Sequence, residues 1–221
     1  MADFVVRMAG DAAVVVEFEP LIDPNINAQV VAIGVAVQEA GFPGVLDVVP
    51  GYSTVTVYFD PLHIDFDRLW SYLEKLAAVS VSDTGPAREV VVPVRYGGEF
   101  GPDLGEVAAF AGSSVDEVIQ LHTSKLYRVY MVGFLPGFHY LGTVDPLIAM
   151  PRLESPRLVV PGGSVGIAGA QTGIYPTSAP GGWRLIGISL VELFDVEREP
   201  PNFLRVGDRV RFKAVSTGTG S

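Results

Sequence analysis

Between Gly133 and Tyr175 the chain packs glycine and proline around a few aromatics and one amide, in two blocks. They read Gly133-Phe134-Leu135-Pro136-Gly137-Phe138-His139-Tyr140-Leu141-Gly142 and Pro161-Gly162-Gly163-Ser164-Val165-Gly166-Ile167-Ala168-Gly169-Ala170-Gln171-Thr172-Gly173-Ile174-Tyr175-Pro176. Glycine loses more conformational freedom on folding than any other residue. Such density in an ordered chain therefore signals tight turns or backbone brought close to another group. The interleaved Phe, Tyr, Ile and Val need a core, which separates these blocks from a low-complexity linker. Function is to be sought in them.

The segments ahead of the blocks read differently. Residues 4–6 and 12–18 form short β segments joined through Gly10-Asp11. A helix follows, with Pro24 in its first turn and Ile26, Val30, Ile33 and Val37 along one face. Gly41 stops it. Residues 45–49 and 54–59 then make a hairpin around Pro50-Gly51-Tyr52-Ser53. A second helix begins at Asp65, a natural N-cap, with Phe66, Leu69, Trp70, Leu73 and Leu76 as its stripe. This order predicts a small two-layer, ferredoxin-like α/β domain over residues 1–85. Residues 80–86 are polar and end in Gly-Pro, which marks a boundary.

Beyond it, residues 88–94 alternate as a strand. Two short helices follow at 103–111 and 114–122, the latter opened by the capping box Ser114-x-x-Glu117. Strands are predicted at 127–132, 185–193 and 209–212, with turns between them. Many short strands with Gly/Pro turns predict a closed or nearly closed β-barrel over residues 86–215, followed by a flexible tail at 216–221. The fold class is thus α+β.

Composition narrows the function. The formal net charge of -10 argues against binding nucleic acid or an anionic membrane, since both need a positive field. Without cysteine there is no disulfide framework, thiolate nucleophile or Cys-based metal site. The start, Met1-Ala2-Asp3-Phe4, lacks the basic region of a secretory signal. The longest apolar run, residues 30–37, falls far short of the roughly 20 residues that span a bilayer. A cytoplasmic protein is expected.

Several motifs mislead. Gly162-Gly163-Ser164-Val165-Gly166 matches the nucleophile elbow of α/β-hydrolases, which needs a helix after the Ser and a His later in the chain. Here Gly-Ile-Ala-Gly-Ala follows, and His63, His122 and His139 all precede Ser164; a glycine-rich turn is the better reading. No phosphate loop is present, and neither glycine block holds a lysine. The three histidines lack metal-ligand spacing, so no metal is expected.

His122 ends a predicted helix, where a protonated ring would favour the dipole; structural and catalytic roles both stay open. His139 lies within the first block, as a surface imidazole or one that reaches a ligand. Gln171 and Thr172 offer neutral donors and acceptors for a small polar ligand, or they satisfy the barrel's own backbone. Arg128, Arg152, Arg157 and Arg184 are the cations available for a carboxylate.

At these same blocks the sequence resembles the family of 5-oxoprolinase B subunits, also called KipI or allophanate hydrolase subunit 1. Further matches are Val92-Pro93-Val94-x-Tyr96-Gly97-Gly98-Glu99-x-Gly101-Pro102-Asp103-Leu104, His122 before Tyr127-Arg128-Val129-Tyr130, and Pro180-Gly181-Gly182-Trp183. The resemblance implies a small α/β domain followed by a cyclophilin-like β-barrel. It also implies one component of an ATP-dependent enzyme opening 5-oxoproline to glutamate, with the A and C subunits as partners, C the closest. ATP is then expected on, or completed by, those partners.

Within these blocks Phe134, Pro136, Phe138, Tyr140, Ser164, Gln171, Thr172, Gly173 and Tyr175 are expected to hold the substrate, with His122 or His139 assisting proton transfer. Two alternatives come with the resemblance: a KipI-type inhibitor of a sensor histidine kinase, and a carboxyl-transfer component like part of urea carboxylase. The allophanate label itself fits poorly. Ser164 is followed by Val165, and no lysine lies between Lys125 and Lys213 for an amidase-type Ser-Ser-Lys arrangement. Prolyl isomerase activity would rest on fold analogy alone.

Overall fold

Asp23 and Asp65 each start a helix in the way their side chains allow. The Asp23 carboxylate accepts from the backbone N–H groups of Asn25 and Ile26 at 2.8 and 3.0 Å, and Asp65 accepts from Arg68 at 3.1 Å. Each satisfies donors the first helical turn leaves without a partner. These helices belong to the first of two compact units, Met1–Pro86 and Ala87–Ser221. The computed structural model describes residues 3–81 and 87–215. The expected tail at 216–221, and all but the first two residues of the boundary segment at 80–86, lie outside the described residues.

The first unit runs β1 (Phe4–Met8), β2 (Ala13–Phe18), α1 (Pro24–Ala40), β3 (Val45–Pro50), β4 (Thr54–Phe59) and α2 (Phe66–Ala77). Its four strands form one antiparallel sheet in the order β1-β2-β4-β3. Ile26, Val30, Ile33 and Val37 of α1 and Leu69 and Leu73 of α2 bury against Val14, Val16, Val55 and Val57. Gly41 closes α1 at φ 57°, a left-handed value that suits glycine.

The ferredoxin-like expectation needs correcting. The order is ββαββα rather than βαββαβ, so the strand beside β2 comes from the N-terminus. The reason is local: the turn at Gly10, with φ 76°, pairs β1 with β2 before any helix can intervene. Two buried amides finish the unit. Asn27 donates to the carbonyls of Gly51 and Tyr52 in the β3–β4 turn, and Gln29 donates to those of Ala77 and Val79 after α2.

The second unit opens with β5 (Glu89–Tyr96), followed by α3 (Leu104–Ala111) and α4 (Val115–Ser124). The capping box at Ser114 forms as its sequence predicts, in both directions. Then come β6 (Leu126–Val132), β7 (His139–Gly142), β8 (Arg157–Val160), β9 (Ser164–Ala168), β10 (Gln171–Ile174), β11 (Ala179–Gly181), β12 (Arg184–Ser189) and β13 (Arg209–Ala214). Seven of these strands close a barrel in the order β10-β7-β6-β13-β5-β12-β9, while β8 and β11 pair separately.

All barrel pairs are antiparallel except β13 with β5. The strand expected over 185–193 stops at Ser189, whose hydroxyl accepts from the Val191 N–H in a turn. One core gathers Val92, Val129, Leu141, Ile167, Ile186, Val210 and Phe212 with Leu104 and Val118 of the helices. A second, smaller aromatic cluster holds Phe138, Tyr175, Trp183 and Leu185. Among the described residues no helix is long and apolar enough to cross a membrane.

Candidate functional site

The aromatic cluster carries an open cleft of about 260 Å³. Phe134, Tyr140, Arg152, Pro156, Tyr175 and Trp183 line it, with Pro180, Gly181 and Gly182. Both glycine blocks are needed to build it. Phe138, fully buried, is the hub: its ring centre lies 4.7 Å from Tyr140, 5.0 Å from Tyr175, 5.4 Å from Trp183 and 5.7 Å from Phe134. Phe138 therefore supports the cleft and is not one of its walls.

Glycine matters at two points here. A Cβ on Gly173 would stand 3.1 Å from Phe138 and from Trp183, so the missing side chain lets both rings close over β10. A Cβ on Gly181 would fall 2.2 Å from the Tyr175 hydroxyl. Phe134 holds φ 68°, a left-handed conformation that a bulky side chain rarely adopts, and the residue is 62% exposed at the cleft mouth.

Burial raises the pKa of both phenols, Tyr140 and Tyr175; the Arg152 guanidinium partly opposes the rise at Tyr140, and a hydrogen bond from the Trp183 backbone, more than Arg152, opposes it at Tyr175. Both hydroxyls stay protonated at neutral pH and can donate. The cleft thus offers ring faces, neutral donors and one cation. That set suits a compact polar molecule bearing a flat or apolar portion.

The remaining sequence candidates are scattered. Ser164 lies in a separate cavity of about 370 Å³, with Glu99, Phe100 and Arg157. The cation there is committed: Arg157 donates to the buried Asp103 at 2.5 Å. Ser164 begins β9 and a strand follows it, so the hydrolase-elbow geometry is absent at this serine. Pro136 is exposed on the turn before β7. Gln171, Thr172 and Gly173 form strand β10 rather than a loop, and Thr172 is fully buried.

Both histidines require correction. His139 has no solvent exposure; its Nε2 donates to the Leu204 carbonyl at 3.1 Å. Its Nδ1 is enclosed with no partner of good hydrogen-bond geometry, although the Gly137 carbonyl lies near enough to favour the charged ring. Burial is the larger effect and lowers its pKa. His122 is equally buried, and burial pushes its pKa down to about 3. A ring neutral across the physiological range cannot serve the helix dipole as a cation. Neither ring lines the cleft.

Sequence reasoning missed Trp183 and Gly181 as parts of the cleft, although Pro180-Gly181-Gly182-Trp183 is itself a dense glycine–aromatic signal. The cations are also poorly placed for the expected ATP. Lys125 pairs with Asp145, and Lys75 and Lys213 lie on α2 and β13. The cleft's cation stands among rings, not at a glycine-rich helix start. Among the described residues these cations do not make a triphosphate cradle.

Residues 4–204 match the family described as carboxyltransferase domain, subdomain C and D. The chain belongs to this family. It is 41% identical over 222 residues to the B subunit of 5-oxoprolinase from Bacillus subtilis (strain 168), covering 96% of this chain and 92% of that protein. The resemblance read from the glycine blocks thus holds over nearly the whole chain. Among solved structures it is similar to TTHA0988, at 40% identity and a TM-score of 0.83, covering 98% of this chain but 41% of that longer one. The urea amidolyase of K. lactis, at 19% identity and a TM-score of 0.80, shares the fold; the match covers 97% of this chain and 15% of that one.

Proposed function

We propose that this chain is a non-autonomous component of an ATP-dependent hydrolase that opens a cyclic amide, 5-oxoproline giving glutamate. One observation carries the reading: the two glycine blocks that resemble 5-oxoprolinase B subunits are the segments that build the aromatic cleft. The relative's name, at 41% identity, supports the same assignment. The A and C subunits complete the enzyme, with C the nearest neighbour of the barrel, and the assembly works in the cytoplasm, where ATP is made.

A lactam resists hydrolysis because amide resonance leaves its carbonyl a poor electrophile. ATP, held by the partners, supplies the activation. The part assigned to this chain is to bind and orient. Phe134 and Trp183 cover the ring, and the protonated hydroxyls of Tyr140 and Tyr175 donate to its oxygens. Holding a reactant in one pose lowers the barrier by removing rotational freedom. His122 and His139, sealed from solvent, take no part in proton transfer.

The test is ATP-dependent glutamate formation by the purified chain, alone and then mixed with the A and C subunits. Activity only in the complete mixture is expected. An assembled mixture without activity would remove the assignment. The family's description as a carboxyltransferase domain favours a second reading, transfer of a carboxyl group, which the same mixture tests with radiolabelled bicarbonate.

A further inference from the structure

The four arginines near the glycine blocks have different fates. Arg157 is bound to Asp103. Arg184 donates to Glu106 at 2.6 Å and to the Pro151 carbonyl at 3.1 Å. Arg128 is buried on β6. Arg152 is exposed on the cleft wall and forms no ion pair among the described residues. In a chain with formal net charge -10, a guanidinium left without an acid beside two phenols and an indole stands out.

The chemistry of that set is specific. A guanidinium is a rigid planar fork whose paired N–H donors match the two oxygens of a carboxylate. Phenols that stay protonated add donors to the same oxygens or to a neighbouring carbonyl. The faces of Trp183 and Phe134 offer apolar cover to a small ring. A single cation balances a single negative charge, and a space of about 260 Å³ admits a compact molecule. A polyphosphate would bring charge that nothing else on the cleft wall neutralises.

We infer that Arg152 is the specificity-determining residue of the cleft, selecting a small cyclic monocarboxylate and rejecting its uncharged counterpart. The inference rests on the cleft being the substrate-binding face of the chain. It adds the ligand's charge and the residue that reads it.

Trp183 reports on the cleft directly, and Trp70 is the one other tryptophan in the sequence. In a Trp70→Phe background the emission of the full chain therefore comes from Trp183. We expect a saturable change with 5-oxoproline, and binding of 2-pyrrolidone, which lacks only the carboxylate, weaker by at least about tenfold. Arg152→Gln is expected to weaken 5-oxoproline by about the same factor, with Arg152→Lys between the two, because a point charge replaces a fork.

Equal binding of the two ligands, or an Arg152→Gln variant that binds as the parent does, overturns the inference. So does a chain that binds no carboxylate. Cyclopentanecarboxylate separates this inference from the functional reading. If it binds with full dependence on Arg152 while 5-oxoproline fails, the carboxylate site stands and the lactam assignment falls.

Discussion

Nε2 of His122 lies 2.9 Å from Oγ1 of Thr172, deep inside the second unit. The same Thr172 hydroxyl donates its proton to the Gly166 carbonyl at 2.9 Å, so it must accept from the ring. The imidazole therefore carries its proton on Nε2, and Nδ1 accepts from the Tyr96 hydroxyl at 2.7 Å. Phe212 stacks on the ring at 4.5 Å. This buried chain, Tyr96 to His122 to Thr172 to Gly166, joins β5, α4, β10 and β9 with each donor matched to an acceptor. It holds the barrel together and leaves no free proton for chemistry.

Thr172→Val keeps the shape of the side chain and removes the hydroxyl. The His122 N–H and the Gly166 carbonyl would then be buried without partners. A loss of about 2–3 kcal/mol is expected, since each orphaned buried group costs its full desolvation. Urea denaturation measures it, and a loss below about 0.5 kcal/mol would show that the network adds nothing to stability.

His122 also sets a pH dependence. Its pKa is about 3 in the folded chain against about 6.5 unfolded, so between these values the unfolded chain binds more protons. The stability that rests on a neutral ring is complete above about pH 6.5 and drains as pH falls towards 3, by up to about 1.4 kcal/mol per unit. His139 adds a loss of the same sign. The carboxyls of Glu17, Asp60 and Glu117, held below their usual range, enter only at lower pH. Unfolding midpoints at pH 7 and 5 should differ less in His122→Gln than in the parent; an unchanged difference would refute the assignment.

The helices were the most legible part of the sequence, because their signals are local. Pro24, Gly41, Asp65 and Ser114 mark ends that form where the spacing puts them. The barrel was legible as closed or nearly closed from short strands and glycine turns, but its strand order was not. The parallel pairing of β13 with β5 joins residues more than a hundred apart, and no short-range pattern encodes it. The histidines were misplaced for a related reason. His139 looks like a loop residue beside Pro136-Gly137, yet it opens a strand and packs beneath the Leu204 carbonyl. Arg152 and Arg157 are chemically identical in sequence, and only the fold shows that Asp103 has claimed one of them.

That claim is itself testable. Asp103 is buried and accepts from Arg157 at 2.5 Å and from the Leu185 N–H at 2.6 Å. Asp103→Ala would strand a half-buried guanidinium and a backbone donor together. A loss of about 3–5 kcal/mol is expected, the range for breaking a buried ion pair on one side. A thermal scan of the variant checks it, and a melting point equal to the parent's would mean that solvent replaces Asp103 without cost.

Phe134 gives the last prediction, which separates backbone strain from the use of the ring. Its φ of 68° places a bulky residue where glycine belongs, at the mouth of the cleft and edge-on to Phe138. Phe134→Ala removes the ring but keeps a Cβ in the left-handed region. Phe134→Gly removes both. The glycine variant should therefore be the more stable of the two by about 1 kcal/mol, with the left-handed penalty relieved and glycine's extra chain entropy offsetting part of the gain. Both should weaken ligand binding at the cleft alike, since neither has a ring to cover the ligand. Urea denaturation and Trp183 fluorescence titration read the two effects separately. If the alanine variant were as stable as the glycine one, the backbone would carry no strain at this position. If both bound ligand as the parent does, the ring would be no part of the site.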